Sequence, residues 1–189
     1  MEKGIKARPM DRLKAIYYDS REFPILGRIY VAGSAKGLVR LSLPGHPVES
    51  FFESVLKTFQ PAFFTEHSEP FTGLYRELEQ YLAGQRAVFD LPLDPRGTPF
   101  QLRVWEALLG INYGETTSYG EIARALERPK ASRAVGQANH INPLPILIPC
   151  HRVIGVKGDL VGYGGGISLK KQLLSLEKNF RCNFLSTPL

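Results

Sequence analysis

The sequence predicts an α/β + α protein. A mixed α/β unit covers residues 1–93, a mainly helical unit with a helix-turn-helix covers 94–178, and a tail covers 179–189. Three observations carry this expectation. In the first half, an alternating apolar stretch folded about "GSAKG" precedes two helix-like segments. The turn residues "DPRG" (Asp94–Gly97) separate two periodic regions. The second half then opens two helices with complete start signals a short distance apart.

Taken in order, "GRIYVAGSAKGLVRLSLP" reads as a hairpin, because apolar residues alternate on both sides of a small, turn-forming centre. "PVESFFESVLKTFQP" is bounded by prolines and reads as a helix. "FTGLYRELEQYLAGQ" places Leu74, Leu78 and Leu82 at helical spacing, with Gly84 as the C-cap. "AVFDLPL" reads as a short strand. In "TPFQLRVWEALLG", Thr98 and Gln101 form a capping box, Pro99 takes the first helical position, and Gly110 is the stop. Phe100, Val104 and Leu108 share a face, and Trp105 beside it reads as core. "SYGEIARALERP" repeats the grammar through Ser118 and Glu121, and Pro129 blocks continuation.

A third helix, "PKASRAVGQAN", has only small apolar residues at Ala131, Ala134, Val135 and Ala138, so Lys130, Ser132, Arg133 and Gln137 stand out on a low surface. Two short helices joined by a three- or four-residue turn describe a helix-turn-helix, and any αα-hairpin gives the same pattern. The last helix, "SLKKQLLSLEK", is expected to start at Ser168 and turn Leu169, Leu173 and Leu176 inward. Glu177 lies beside that stripe and by itself reads as a solvated charge.

Composition narrows the function. Residues 1–92 carry 12 Lys+Arg against 11 Asp+Glu, whereas 93–189 carry 12 against 7. A basic second half suits nucleic acid and equally suits a soluble basic surface. Two cysteines, Cys150 and Cys182, make no disulfide framework. The charged start "MEKGIKARPMDRLK" has no apolar signal core, and no run reaches the roughly 18 apolar residues of a membrane span, so the reading is of a cytoplasmic protein.

The chemistry concentrates in "PILIPCHRV" (145–153), read as an apolar strand ended by Pro149. Cys150 and His151 are two parts of an activated-thiol site, which needs a base and a group to orient it. Neighbours on a strand point to opposite faces, so the pair converges only where the chain turns or a water bridges it. A buried structural cysteine beside a chance histidine fits as well. His46, His67 and His140 form no metal-ligand cluster with Cys150. Cys182 reads as an incidental thiol. "GYGGGIS" departs from the dinucleotide fingerprint and serves a turn or the close approach of a flat ligand.

Together, "GTPFQLRVWEALL", "TTSYGEIA", "SRAVGQAN", "NPLPILIPCHRV" and "GYGGG" resemble the C-terminal domain of the O6-alkylguanine-DNA alkyltransferases over about residues 94–178. The resemblance implies a ribonuclease-H-like first domain and a winged-helix-like second domain. It also implies single-turnover removal of alkyl groups from O6-alkylguanine, with O4-alkylthymine a second candidate, on a base flipped from duplex DNA. Cys150 would accept the alkyl group, His151 would draw its proton through a water, and Glu177 would hold the imidazole. Asn142 would pin the turn.

By the same resemblance, Tyr119 would crowd the flipped nucleotide's phosphate and assist proton transfer. Arg133 would fill the gap in the base stack. Lys130, Ala131, Ser132, Ala134, Gly136 and Gln137 would complete a minor-groove contact. Backbone groups of Cys150 and Val153 would read the guanine edge, and Tyr163, Gly164 and Gly165 would wall the pocket. A monomer without cofactor or metal, nucleoid-associated when on DNA, is implied. Gly164 stands where the family often has serine, Gln137 and His140 are atypical, and the first half has no cysteine for the zinc some relatives bind. Three other readings stand beside this one. A non-catalytic lesion binder would carry tryptophan in place of Cys150, a helix-turn-helix regulator would need a dimerising element, and a cysteine hydrolase would turn over repeatedly.

Overall fold

The structure is a computed structural model and describes residues 14–60 and 62–185, with side chains for 15–60 and 62–180. The first domain is a four-stranded sheet in the order β3-β2-β1-β4, built from β1 (Lys14–Phe23), β2 (Gly27–Ser34), β3 (Gly37–Leu41) and β4 (Ala62–Glu66). The expected hairpin is β2–β3, antiparallel, with Ser34 opposite Gly37 and a register shift at Ala32/Gly33. The remaining pairings are β1–β2, antiparallel, and β1–β4, parallel.

Alternation along the strands sends side chains to both faces of the sheet. Ile16, Ala32 and Val39 meet Phe51, Val55 and Phe59 of α1 (Val48–Leu56) and the turn after it. Ile29, Val31 and Leu41 join Leu74, Leu78 and Tyr81 of α2 (Thr72–Leu82), in a core that continues into the second domain.

Three expectations change here. Residues 87–93 form no strand. One bridge, Leu38 to Leu93, and the Pro92 O and Asp94 N bonds to Leu38 hold the segment, because Pro92 has no N–H to give a ladder. β1 and β4 lie outside the sequence expectations: charged residues interrupt the apolar pattern of β1, and β4 is only five residues long. "PILIP" is not a strand either. It is a tight, buried turn with Ile146 at φ 75° and a bridge from Pro145 to Ile148.

The second domain follows its local signals closely. α3 (Pro99–Leu109) carries the Thr98/Gln101 capping box, and α4 (Tyr119–Ala125) the Ser118/Glu121 one, each with both reciprocal bonds. The turn from α4 to α5 (Ser132–His140) spans six residues rather than three or four. Glu127 adopts φ 58°, while Glu127 N and Arg128 N bond to Arg124 O and Ala123 O, a Schellman ending without glycine. Trp105 is buried, and its Nε1 donates to Ala138 O at 2.9 Å, fastening α3 to α5. β5 (Thr117–Ser118) and β6 (Val153–Ile154) pair in parallel across the domain.

α6 (Gly166–Leu185) starts two residues before Ser168 and passes residue 178, with Leu169 and Leu173 buried. The domains interlock at Gly84, where φ is 70° and a Cβ would fall 2.2 Å from the Phe180 ring of α6. The side chain of Cys182 lies outside the described residues.

Candidate active site

Cys150 is presented by two successive tight turns. Pro149, at φ −78° and ψ 61°, centres an inverse γ-turn in which Cys150 N donates to Ile148 O at 2.7 Å. A 3-10 turn, Cys150–Arg152, follows immediately. The turn that the Cys–His pair requires is therefore present. Asn142 is wired into it from behind. Its Nδ2 donates to Ile148 O at 2.8 Å, and its Oδ1 accepts from Leu144 N at 3.0 Å. The first domain adds a strut, Leu41 N to Pro143 O, at 2.9 Å.

His151 and Glu177 are wholly buried, and His151 Nε2 lies 2.8 Å from Glu177 Oε1. An ionised carboxylate only accepts, so Nε2 carries the proton and Nδ1 keeps a lone pair. Nδ1 is buried and makes no hydrogen bond to the protein. Glu177 Oε1 also accepts from Tyr81 Oη at 2.7 Å and from Arg152 Nη2 at 2.9 Å. Its Oε2 accepts from Arg152 Nε at 2.9 Å and Gly114 N at 3.1 Å.

Electrostatics follow from this enclosure. Burial would raise the Glu177 carboxyl, but the His151 and Arg152 donors overcome it and hold it at about 2. Burial keeps His151 below its ordinary range, opposed by Glu177. Burial pushes the Cys150 thiol up to about 11, with the Asn142 amide and the Lys170 charge pulling the other way. The resting site is thus a thiol, a neutral imidazole and a carboxylate clamped by a guanidinium.

Cys150, Asn142, Tyr163 and Gly164 face a cleft of about 750 Å³, closed on the far side by Leu43 and His46 of the first domain. The ring centroids of Tyr163 and His151 are 6.4 Å apart. At Gly165 a Cβ would come within 2.6 Å of Leu169, so the loop can lie flat against α6 only with glycine there. Val153, buried on β6, accepts from Lys170 Nζ at 2.6 Å, and Lys170 also reaches Val161 O at 2.8 Å.

The structure brings Cys150, His151, Asn142, Glu177, Val153, Tyr163, Gly164 and Gly165 together. Tyr119 opens α4 half-buried, close enough for Cys150 to raise its hydroxyl further after burial does so, and it packs near Gly136 of α5. Lys130, Arg133, Ala134 and Gln137 stand exposed on the α5 side, with Ala131 and Ser132 half-covered, apart from the buried group. Tyr81, Arg152 and Lys170 escaped the sequence reading. A buried lysine and a helix tyrosine leave no local mark, although Arg152 directly follows His151. Among the described residues, no group of three or more His, Cys, Asp or Glu could hold a metal. No helix among them is long and apolar enough to cross a membrane.

Comparison with known proteins agrees with this architecture. Residues 16–95 match the 6-O-methylguanine DNA methyltransferase, ribonuclease-like domain, and residues 99–179 match the 6-O-methylguanine DNA methyltransferase, DNA binding domain. A methylated-DNA–protein-cysteine methyltransferase of Methanosarcina barkeri is 46% identical over 87% of this chain and 98% of its own. One from Mycobacterium bovis is 51% identical over 74% of this chain and 86% of its own. The crystal structure of Mycobacterium tuberculosis OGT in complex with DNA superposes with a TM-score of 0.75 at 44% identity, covering 87% of this chain and 94% of that one.

Fold and site thus define a two-domain protein in which a helix-turn-helix unit carries a buried cysteine. The chain belongs to the O6-alkylguanine-DNA alkyltransferase (methylated-DNA–protein-cysteine methyltransferase) family. Its activity is direct DNA repair by cysteine-mediated alkyl transfer, a self-alkylating reaction.

Proposed function

We propose that the protein takes the alkyl group from O6-alkylguanine in double-stranded DNA onto Cys150, once per molecule. The observation that carries this reading is the buried Cys150 thiol beside a His151–Glu177 pair whose Nδ1 keeps a lone pair. The thiol proton passes to Nδ1 through a water. Because Glu177 stays ionised, the imidazolium formed is stabilised where it stands. The thiolate attacks the alkyl carbon, and a C–S bond forms as the C–O6 bond breaks. The electron pair goes to guanine O6, and the departing base takes a proton with help from Tyr119. The thioether left on Cys150 has no route back, so the reaction ends there.

The lesion sits inside the duplex and has to be turned out, at a cost of a few kcal/mol of unstacking. Arg133 fills the vacated stack, and the low α5 surface of Lys130, Ala131, Ser132, Ala134, Gly136 and Gln137 approaches the minor groove. Its poor sequence code suits repair at any site. Backbone groups of Cys150 and Val153 read the guanine edge, Tyr163, Gly164 and Gly165 wall the pocket, and Asn142 holds the turn. The protein acts as a monomer in the cytoplasm, on the nucleoid, without cofactor or metal.

The test is incubation with duplex DNA carrying a labelled O6-methylguanine. One label per protein, lost in Cys150→Ala, is the expected result. Lesion binding without label, no lesion preference, or repeated turnover would each overturn it. A parallel duplex with O4-methylthymine defines the substrate range.

A further inference from the structure

We propose that Tyr81, on α2 of the ribonuclease-like domain, is a positioning residue for alkyl transfer, fixing the Glu177 carboxylate that orients His151. The inference rests on the alkyl-transfer reading above. Every other hydrogen-bond donor to Glu177 named here belongs to the second domain; Tyr81 reaches it across 96 residues of sequence.

Tyr81 is wholly buried, and its hydroxyl donates to Oε1 at 2.7 Å, the same oxygen that holds His151 Nε2 at 2.8 Å. The hydroxyl also lies 3.4 Å from Nε2. Both groups have spent their protons on Oε1, so they sit side by side on one acceptor. Their shared oxygen cannot rotate away without breaking both bonds, and that fixes the plane in which the imidazole lies. The tyrosine ring has little freedom of its own. It packs 5.3 Å from Phe89 and edge-on to Tyr113 at 6.0 Å.

The helices supply the reason this contact is stiff. Tyr81, at the end of α2, meets Glu177, and Gly84, three residues on and just past the helix, meets Phe180, three residues on along α6. Two contacts at matching spacing set the register of the α2 end against α6 as well as its distance. The first domain thereby reaches into the reacting centre with a side chain, in addition to walling the cleft with Leu43 and His46.

Burial first, and Glu177 next, keep the Tyr81 hydroxyl protonated far above neutrality, so it is a permanent donor. The other ionisable groups around the pair are Arg152 and Cys150 of the turn, Lys170 of α6, Tyr113 of the loop after α3 and Tyr163 of the glycine loop. All of these remain when the hydroxyl alone is removed. A carboxylate with one donor fewer is more basic, and its imidazole partner takes a proton more readily. That protonation, before the thiol has given up its own, disables the base.

The experiment is the single-turnover rate of alkyl transfer from labelled duplex DNA, measured from pH 4.5 to 9 for wild type and Tyr81→Phe. For Tyr81→Phe we expect a rate about 3- to 10-fold lower at the optimum and an acid limb moved up by about half a pH unit, the part of one lost hydrogen bond to a charged group that reaches His151 through the shared oxygen. Binding of unmodified duplex is expected to be unchanged. Superimposable pH profiles and rates, whatever happens to the melting temperature, would overturn the inference. Should the phenylalanine variant not fold, Tyr81→Met fills the space without the hydroxyl and is read the same way. No transfer by the wild-type protein would overturn the alkyl-transfer reading and this inference with it. Transfer by wild type with an unmoved variant profile overturns the inference alone.

Discussion

Glu177 Oε1 lies 2.8 Å from His151 Nε2 in a site where neither residue has any exposed surface. Six hydrogen bonds reach that one carboxylate from His151, Arg152, Tyr81 and Gly114. The arrangement makes Glu177 an anion under all ordinary conditions and His151 a neutral acceptor, and it has consequences for stability as well as chemistry.

The Glu177 carboxyl, held at about 2 against 4.5 for the free group, contributes stability that is present above pH 4.5 and lost as pH falls through about 2. The linked stability is on the order of 3 kcal/mol. Glu177→Gln leaves the Arg152 guanidinium buried without its anion, at a cost of about 3–5 kcal/mol near neutrality. Urea midpoints of the two proteins are expected to differ most at pH 7 and to converge as the pH approaches 2.

Cys150 is expected to react slowly with general thiol reagents at pH 7 and to speed up as the pH rises toward about 11, because burial keeps the thiol protonated. Iodoacetamide labelling followed by peptide mapping separates Cys150 from Cys182. Rapid labelling of Cys150 at neutral pH would contradict the resting state described here.

Gly84→Ala forces a side chain into a left-handed conformation and into the Phe180 ring at 2.2 Å. The expected loss is about 2–4 kcal/mol, combining backbone strain with overpacking. Thermal unfolding measures it, and alkyl transfer is expected to slow as α2 and α6 lose their register.

Ser118→Ala removes the N-cap of α4, which accepts from Glu121 N at 3.2 Å, while the Glu121 carboxylate is itself held low by Ser118 and Thr117. The expected cost is about 1 kcal/mol. Chemical denaturation is the measurement. A loss of duplex affinity is expected as well, because α4 leads into the α5 face.

Arg133→Ala is expected to slow repair in duplex DNA far more than dealkylation of the free base O6-methylguanine, since only the duplex has a stack to fill. Equal loss on both substrates would remove Arg133 from that role. Duplex affinity is expected to fall linearly on a log–log plot against salt, and the slope to drop by about one if Arg133 also meets a phosphate.

How much of this was legible beforehand depended on range. Both capping boxes, the Gly84 stop, the β2–β3 hairpin and the inward leucines of α6 are set by residues within a turn of each other, so the chain announces them locally. The turn before α5 is longer than the local pattern predicts because Glu127 takes the left-handed place where glycine is the usual sign. "PILIP" looked like a strand because a buried turn and a buried strand share the same apolar composition. His151 and Cys150 were visible as neighbours. Glu177 on its own read as a solvated charge, and only the family resemblance pointed to it.

The sequence by itself determined the helical grammar of the second half, the pairing of a thiol with an imidazole, and the family to which they belong. Tertiary structure alone decided that Pro149 bends the chain so the pair can act together, that Arg152 and Tyr81 clamp Glu177, and that Lys170 is spent on the carbonyls of Val153 and Val161. Those contacts join residues up to 96 positions apart. Their strength comes from the exclusion of water, a property of the packed core that no short stretch of sequence carries.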